Sequence, residues 1–197
     1  MPIASAHPLL SVAALVAGYG RPVVGPVDFT LARGEVLGLA GPNGSGKSTL
    51  LSALAGAGRR FAGSVDLAPG VEISWQTQRQ PAVAGIPLNG RELLALTGAS
   101  ADGLPPWLAA RLEERLDRLS GGQLQFLHLW ACLQAPADVI LLDEPTNNLD
   151  PQGVAALGAA IAARAAAGAG IVLVSHDDDF VAAACQRVVR LPGGPRP

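Results

Sequence analysis

Short apolar runs recur along the chain, and longer segments with helical periodicity lie between many of them. Apolar runs that end at glycine or at a polar residue are typical of buried strands. Because strands and helices alternate, the pattern predicts an α/β fold with a mostly parallel sheet and helices packed on it. The predicted strands cover 9–17, 22–31, 34–40, 63–67, 71–76, 138–143, 170–175 and 186–191. The helices predicted between and after them cover 47–56, 151–167 and 177–185.

The middle of the chain has a different pattern. Prolines and glycines at 81–90 predict a loop, and a short helix is expected to begin at Asn89. Leucines that fall on one face predict a helix within 104–118, and a further helix is expected at about 121–134. No strand is predicted here, so residues of about 79–135 are expected to form a helical subdomain.

The composition narrows the class of protein. Apolar residues make up 49% of the chain and charged residues 15%, which is typical of a globular domain. The net charge of −2 argues against a nucleic-acid partner, which calls for a basic face. No run approaches the roughly 20 apolar residues that span a bilayer, so any membrane spans are expected in another subunit. Cys132 and Cys185 match no metal-ligand spacing and are interpreted as reduced, buried residues.

The strongest chemical signal is GPNGSGKST at 41–49, which fits the phosphate-loop pattern between a strand and a helix. Its glycines allow backbone N–H groups to turn toward phosphate oxygens, and the helix amino end favours an anion. Lys47 is expected to reach the β- and γ-phosphates, and the Ser48 hydroxyl to bind Mg²⁺. The nucleotide-binding residues predicted from this loop are Gly41, Asn43, Gly44, Ser45, Gly46, Lys47, Ser48 and Thr49.

A second signal is VILLDEP at 139–145, an apolar strand that ends in two carboxylates. Ligands of open α/β sheets bind at the carboxyl ends of the strands, where Asp143 and Glu144 lie. Asp143 is expected to hold Mg²⁺, and Glu144 to act as the general base on the attacking water. Together with the phosphate loop, this strand predicts a nucleoside triphosphatase.

A third signal, LSGGQ at 119–123, predicts another helix terminus suited to phosphate. One chain then carries one phosphate loop and one such terminus, so two chains facing head to tail complete two sites. The residues predicted at this terminus are Ser120, Gly121, Gly122 and Gln123.

In the order and spacing of these motifs the chain resembles the ATP-binding-cassette (ABC) ATPase family from about residue 9 to 191. The resemblance also covers NNLD at 147–150 and SHD at 175–177. It implies a phosphate-loop triphosphatase core with a mostly parallel sheet, an antiparallel β subdomain and an inserted helical subdomain. The whole chain, residues 1–197, is expected to form a single nucleotide-binding domain.

The resemblance also implies roles for further residues. Tyr19 matches an aromatic residue that stacks on adenine, and Asp150 an aspartate at the interface between cassettes. His176 matches the histidine that contacts the γ-phosphate. Gln78, with Gln76 as a rival, matches the glutamine that senses Mg²⁺ and water and reports to the transport partner. The chain departs from the family at Phe126, where a basic residue is usual, and in its shorter middle segment.

Two functions from different classes follow from this resemblance. The first is the ATP-hydrolysing subunit of a membrane transporter, a homodimer that uses MgATP and lies on the cytoplasmic side of the membrane against permease subunits. Within this class, residues 78–94 resemble the corresponding segment of metal-ion importers. The alternative is a soluble ABC ATPase such as a translation or repair factor, which TNNLD and SHDDDF resemble. That branch usually has two cassettes and a basic linker.

Overall fold

The computed structural model describes residues 7–77 and 87–191 of the chain. The strands are β1 (Leu10–Gly18), β2 (Pro22–Leu31), β3 (Val36–Ala40), β4 (Arg59–Leu67), β5 (Ile73–Gln76), β6 (Val139–Asp143), β7 (Gly170–Val174) and β8 (Arg187–Arg190). The helices are α1 (Lys47–Leu54), α2 (Gly90–Thr97), α3 (Pro106–Ala109), α4 (Gly121–Gln134), α5 (Pro151–Ala166) and α6 (Asp178–Ala184).

Five strands form a parallel sheet in the order β5-β6-β7-β3-β8. Two of its three interior strands, β6 and β7, are buried along their whole length, as near-continuous apolar runs predict. In this order the ends of β3, β6 and β7 lie side by side at one edge of the sheet. The parallel sheet predicted from the alternating pattern is therefore confirmed.

A second sheet is antiparallel, with β1 between β2 and β4. Leu10 pairs with Leu31 on one side and with Leu67 on the other, so apolar rows of the strands share a face. The antiparallel β subdomain is thus present, although β4 begins at Arg59 rather than at residue 63.

Alternate residues of the central strands belong to two separate cores. Ile140 and Leu142 pack with α4 and α5 on one face of the parallel sheet. Val139 and Leu141 pack with α1 and the antiparallel sheet on the other face. Helices and a second sheet thus cover both faces of β6.

The single helix predicted within 104–118 is wrong. Only α3 is helical, and it is followed by turns and by a short 3-10 helix at Leu116–Arg118. The reason is tertiary pairing: Arg91 N donates to Leu112 O, Leu116 N donates to Leu88 O, and Arg115 forms a bridge with Asn89. These bonds replace helical ones, while the leucines at 108, 112 and 116 remain buried.

Helix α2 begins at Asn89 as predicted, with a capping box that Asn89 forms with Glu92. No helix in the two described ranges is both long and apolar enough to cross a bilayer.

Candidate nucleotide-binding and catalytic site

The phosphate loop connects β3 to α1, with Gly46 as the residue that caps the helix in a left-handed conformation (φ 91°). The Lys47 ammonium group lies beneath this loop and is almost fully buried. Its Nζ donates to the carbonyl oxygens of Gly41 at 2.8 Å and Pro42 at 3.2 Å. These two hydrogen bonds hold the positive charge of Lys47 against the phosphate loop. A positive charge at this place suits the binding of a polyphosphate.

Two glycines of this loop are required by close packing. A Cβ on Gly41 would lie 2.8 Å from Ser45 Oγ, and one on Gly46 would lie 2.6 Å from Val24 Cβ. Gly44 faces open space but has a φ of +78°, which favours glycine on conformational grounds. The loop is thus packed against β2 on one side and open to solvent at Gly44.

Asp143 at the end of β6 comes next to the start of α1, where its carboxylate is hydrogen-bonded to Ser48. Burial raises the pKa of Asp143, and the Ser48 hydrogen bond and the charges of Lys47 and His176 oppose that rise. Its Oδ1 is buried without a hydrogen-bond partner among the described residues. An orphaned carboxylate oxygen beside a hydroxyl is a donor set that fits Mg²⁺.

Glu144 follows in a left-handed conformation (φ 52°), which is unusual for a residue other than glycine. Its N–H donates to Val174 O at 2.8 Å, and its side chain is 5% exposed. Glu144 Oε1 lies 2.9 Å from His176 Nε2, and Oε2 accepts from the His176 N–H at 3.1 Å. The carboxylate is therefore held by both the ring and the backbone N–H of His176.

These groups surround an open cavity of about 340 Å³. It brings together the phosphate loop, the carboxylate of Glu144 and the ring of His176, whose side chain is 57% exposed. The cavity is lined by Val23, Asn43, Gly44, Gly46, Lys47, Ser48, Thr49, Glu144 and His176. Val23 belongs to none of the sequence motifs and was not predicted. Val23 could be assigned to the site only from the packing of β2 against the phosphate loop, where a Cβ on Gly46 would meet Val24 and Val23.

The second predicted phosphate terminus is elsewhere in the chain. Ser120 caps α4 through a capping box with Gln123, in which Ser120 Oγ accepts from Gln123 N at 3.2 Å. Ser120, Gly122 and Asp150 line a separate cavity of about 270 Å³, and Gly121 is exposed beside them. None of them lines the cavity at the phosphate loop. One chain therefore presents two separate candidate half-sites. The first is the cavity at the phosphate loop, and the second, the Ser120 half-site, is the cavity lined by Ser120, Gly122 and Asp150.

Asp150 and the loop before it lie close to the Ser120 half-site. Asp150 caps α5 by accepting from Gly153 N at 2.7 Å. A Cβ on Gly122 would lie 3.0 Å from Asn148 O, so the two loops are in direct contact.

Two further predicted residues are Tyr19 and Gln78. Tyr19 lies in the turn between β1 and β2, is 63% exposed and is not among the residues that line the cavity. Gln78 lies outside the described residues. Its rival, Gln76, is buried at the end of β5.

Known proteins resemble this chain over most of its length. The family model for "ABC transporter" matches residues 24–86, and a model for an AAA domain (AbiEii toxin, Type IV TA system) matches residues 109–182. A zinc import ATP-binding protein, ZnuC, of Paracoccus denitrificans is 37% identical over 94% of this chain and 77% of its own length. The protein of the same name from Cereibacter sphaeroides is 40% identical over 86% and 72%, respectively.

Solved structures give the same result. The structure of an ATP-binding subunit of an ABC transporter has a TM-score of 0.81 at 27% identity and covers 94% of this chain and 86% of that one. The archaeal ribosome recycling factor aABCE1 has a TM-score of 0.79 at 26% identity, covering 99% and 39%. The curated relatives are matched over most of both chains, so this protein belongs to the ABC transporter family, in which it is the ATP-binding and ATP-hydrolysing subunit.

Proposed function

We propose that this chain hydrolyses MgATP as one half of a head-to-tail dimer and thereby drives import of a metal ion. The observation that carries the proposal is the buried Glu144 carboxylate, held by His176 beside the phosphate loop. The cargo rests on relatives named zinc import ATP-binding proteins, which include those at 37% and 40% identity, and on the likeness of residues 78–94 to metal importers.

In this proposal the triphosphate lies on the phosphate loop. Backbone N–H groups from Asn43 to Thr49 and the amino end of α1 face the phosphate oxygens, and Lys47 exchanges a loop carbonyl for a β- or γ-oxygen. Tyr19 is exposed enough to stack on the adenine ring.

Mg²⁺ would be held by Ser48, Asp143 and, from outside the described residues, Gln78. In the described ranges no group of three or more His, Cys, Asp or Glu residues is placed to hold a metal. Phosphate oxygens of the nucleotide would supply further ligands. The bound ion supplies positive charge that offsets the charge developing on the phosphate oxygens.

Glu144 would orient the attacking water and accept its proton. Its burial keeps the carboxylate poorly solvated, and the two contacts with His176, one at each carboxylate oxygen, hold it beside the phosphate loop. The left-handed backbone at Glu144 aims the side chain away from the strand and toward the cavity. His176 would contact the γ-phosphate when nucleotide is bound.

The second half of each site would come from the partner cassette. The amino end of its α4, with Ser120 and the following glycines, would bind the γ-phosphate, and Asp150 would meet its counterpart across the interface. Support comes from the separation of the two half-sites within one chain.

Membrane spans would come from permease subunits, placing this chain at the cytoplasmic face of the membrane. The single domain would cover residues 1–197, with a helical subdomain at about 79–135 that contacts the permease.

Two measurements test the proposal. Glu144→Gln should lower ATP turnover by at least roughly 100-fold while ATP still binds, as expected for the loss of a general base. Unchanged turnover would exclude Glu144 as the base. Affinity purification from membranes should then recover a polytopic partner. Disrupting the gene for that partner should lower zinc uptake as much as disrupting the gene for this chain. A cassette that hydrolyses ATP but purifies without a membrane partner would favour the soluble class.

A further inference from the structure

The Ser120 half-site is supported by a row of aromatic rings. Phe126, at the position where a basic residue was expected, is 1% exposed. Its ring meets the ring of Trp107 edge to face, with centroids 5.0 Å apart and planes at 66°. On its other side Phe126 stacks against Trp130, with centroids 6.3 Å apart and planes at 24°. Aromatic rings therefore contact Phe126 on two sides.

The two ends of this row differ: Trp130 is buried and hydrogen-bonded, whereas Trp107 borders a cavity. Trp130 is 4% exposed, and its Nε1 donates to Ser100 O at 2.8 Å, which anchors the ring to the loop before α3. Trp107, from α3, is only partly buried and lines the 270 Å³ cavity together with Ser120 and Asp150. The open end of the row therefore lies at the half-site itself.

The geometry connects Trp107 to the first turns of α4. Phe126 stands one helical turn after Gly122, so the Trp107–Phe126 contact braces the helix just below its amino end. Gly122, on the same face of α4 as Phe126, packs against the loop at Asn148: a Cβ there would lie 3.0 Å from Asn148 O. The aromatic row and this loop therefore both contact one face of α4 within its first two turns.

We infer that Trp107 is a positioning residue for the shared nucleotide site: it holds the amino end of α4 so that Ser120 meets the nucleotide of the partner cassette. Its ring also forms a wall of the surface that the partner covers. This inference rests on the proposed function, because it requires that Ser120 acts on the partner's nucleotide.

The effect of removing Trp107 should differ from that of removing an ordinary core residue. Removing an ordinary core aromatic lowers stability, but the assembly of correctly folded chains is unaffected. Removing Trp107 weakens ATP-dependent dimerisation, while the affinity of the single chain for ATP stays the same because the phosphate loop is not involved.

The test uses the full chain with Glu144→Gln, in which hydrolysis is blocked, and measures MgATP-dependent dimerisation by sedimentation velocity. Adding Trp107→Ala should weaken dimerisation roughly tenfold, the size expected for loss of an interface anchor. Trp107→Phe, which keeps a ring against Phe126, should restore most of it. Trp130→Phe is the matched control from the same row: it should lower the melting temperature and change dimerisation by less than roughly twofold.

A second readout needs only the conservative variant Trp107→Phe, which keeps a ring at this position. Acrylamide quenching of Trp107, taken as the difference between the parent and Trp107→Phe, should fall when MgATP forms the dimer. Equal dimerisation of parent and Trp107→Ala, or quenching that MgATP leaves unchanged, overturns the inference. Failure of the parent itself to dimerise overturns the proposed function and this inference with it, which separates the two results.

Discussion

Among individual residues, two glycines of the phosphate loop are needed for different physical reasons: one for backbone conformation alone, the other for conformation and close packing. At Gly46 a Cβ would lie 2.6 Å from Val24 Cβ and the φ is +91°, whereas at Gly44 nothing lies within 4 Å and only the φ of +78° matters. We expect Gly44→Ala to lower the free energy of unfolding by about 1 kcal/mol, the cost of a left-handed alanine. Gly46→Ala should cost about 3 kcal/mol, because steric overlap adds to that strain.

Urea unfolding without nucleotide measures both losses, and Gly44→Ala is the matched control. Equal losses for the two variants would mean that β2 moves away from the loop at little cost. The contact with Val24 would then not hold the loop in place.

His128 provides a prediction about pH. It lies on α4 beside a cavity of about 370 Å³, and its Nε2 is buried without a hydrogen-bond partner among the described residues. Burial lowers its pKa from the ordinary 6.5. The unfolded chain therefore takes up a proton at a higher pH than the folded chain, so stability should fall as the pH drops below 6.5.

Melting temperatures at pH 7.5 and 5.5 test this point. The difference should shrink in His128→Gln and remain in His7→Gln, a matched change at an exposed histidine. The other titratable group that lines the cavity in the described ranges is Cys132, whose pKa burial raises to about 11, so it stays neutral throughout. An unaltered difference in His128→Gln would assign the pH dependence to other groups.

At the level of elements, the capping box of α2 predicts a purely structural effect. Asn89 Oδ1 accepts from Glu92 N at 2.9 Å, and Glu92 Oε2 accepts from Asn89 N at 2.8 Å. Asn89→Ala should lower the free energy of unfolding by about 1 kcal/mol, and Asn89→Asp should retain most of the stability. ATP affinity should be the same in both, since Asn89 does not line the nucleotide cavity. Reduced ATP affinity in Asn89→Ala would show that α2 is coupled to the phosphate loop.

The elements also show what could be predicted from the sequence. Local signals were sufficient for α4 and α5, because Ser120 and Asp150 cap their first turns. They failed at 104–118, where leucines at helical spacing are buried but backbone bonds to residues 88–91 break the helix. No local rule predicts such tertiary pairing.

The site could be predicted residue by residue but not as an arrangement. Glu144 and His176 were both expected from motifs, yet their contact depends on β6 and β7 being neighbours in the sheet. The roles of Val23 and Trp107 depend in the same way on packing between distant segments.

In the whole molecule, the separation of the two half-sites predicts complementation between damaged chains. Lys47→Ala removes the phosphate-loop half, and Ser120→Asp removes the other half by placing a negative charge beside phosphate while keeping a residue that caps α4. A dimer of either variant alone has two incomplete sites. A mixed dimer has one intact site, in which Lys47 comes from one chain and Ser120 from the other.

Mixing equal amounts of the two variants should therefore restore ATP turnover to about a quarter of the wild-type rate if chains pair at random and the sites act independently. Lys47→Ala mixed with Glu144→Gln is the control, because both changes damage the same half and no dimer contains an intact site. Recovery in the first mixture but not in the second requires that one chain's Ser120 acts on its partner's nucleotide. A mixture that stays at the rate of the single variants would show that one complete site is insufficient or that the two half-sites do not meet.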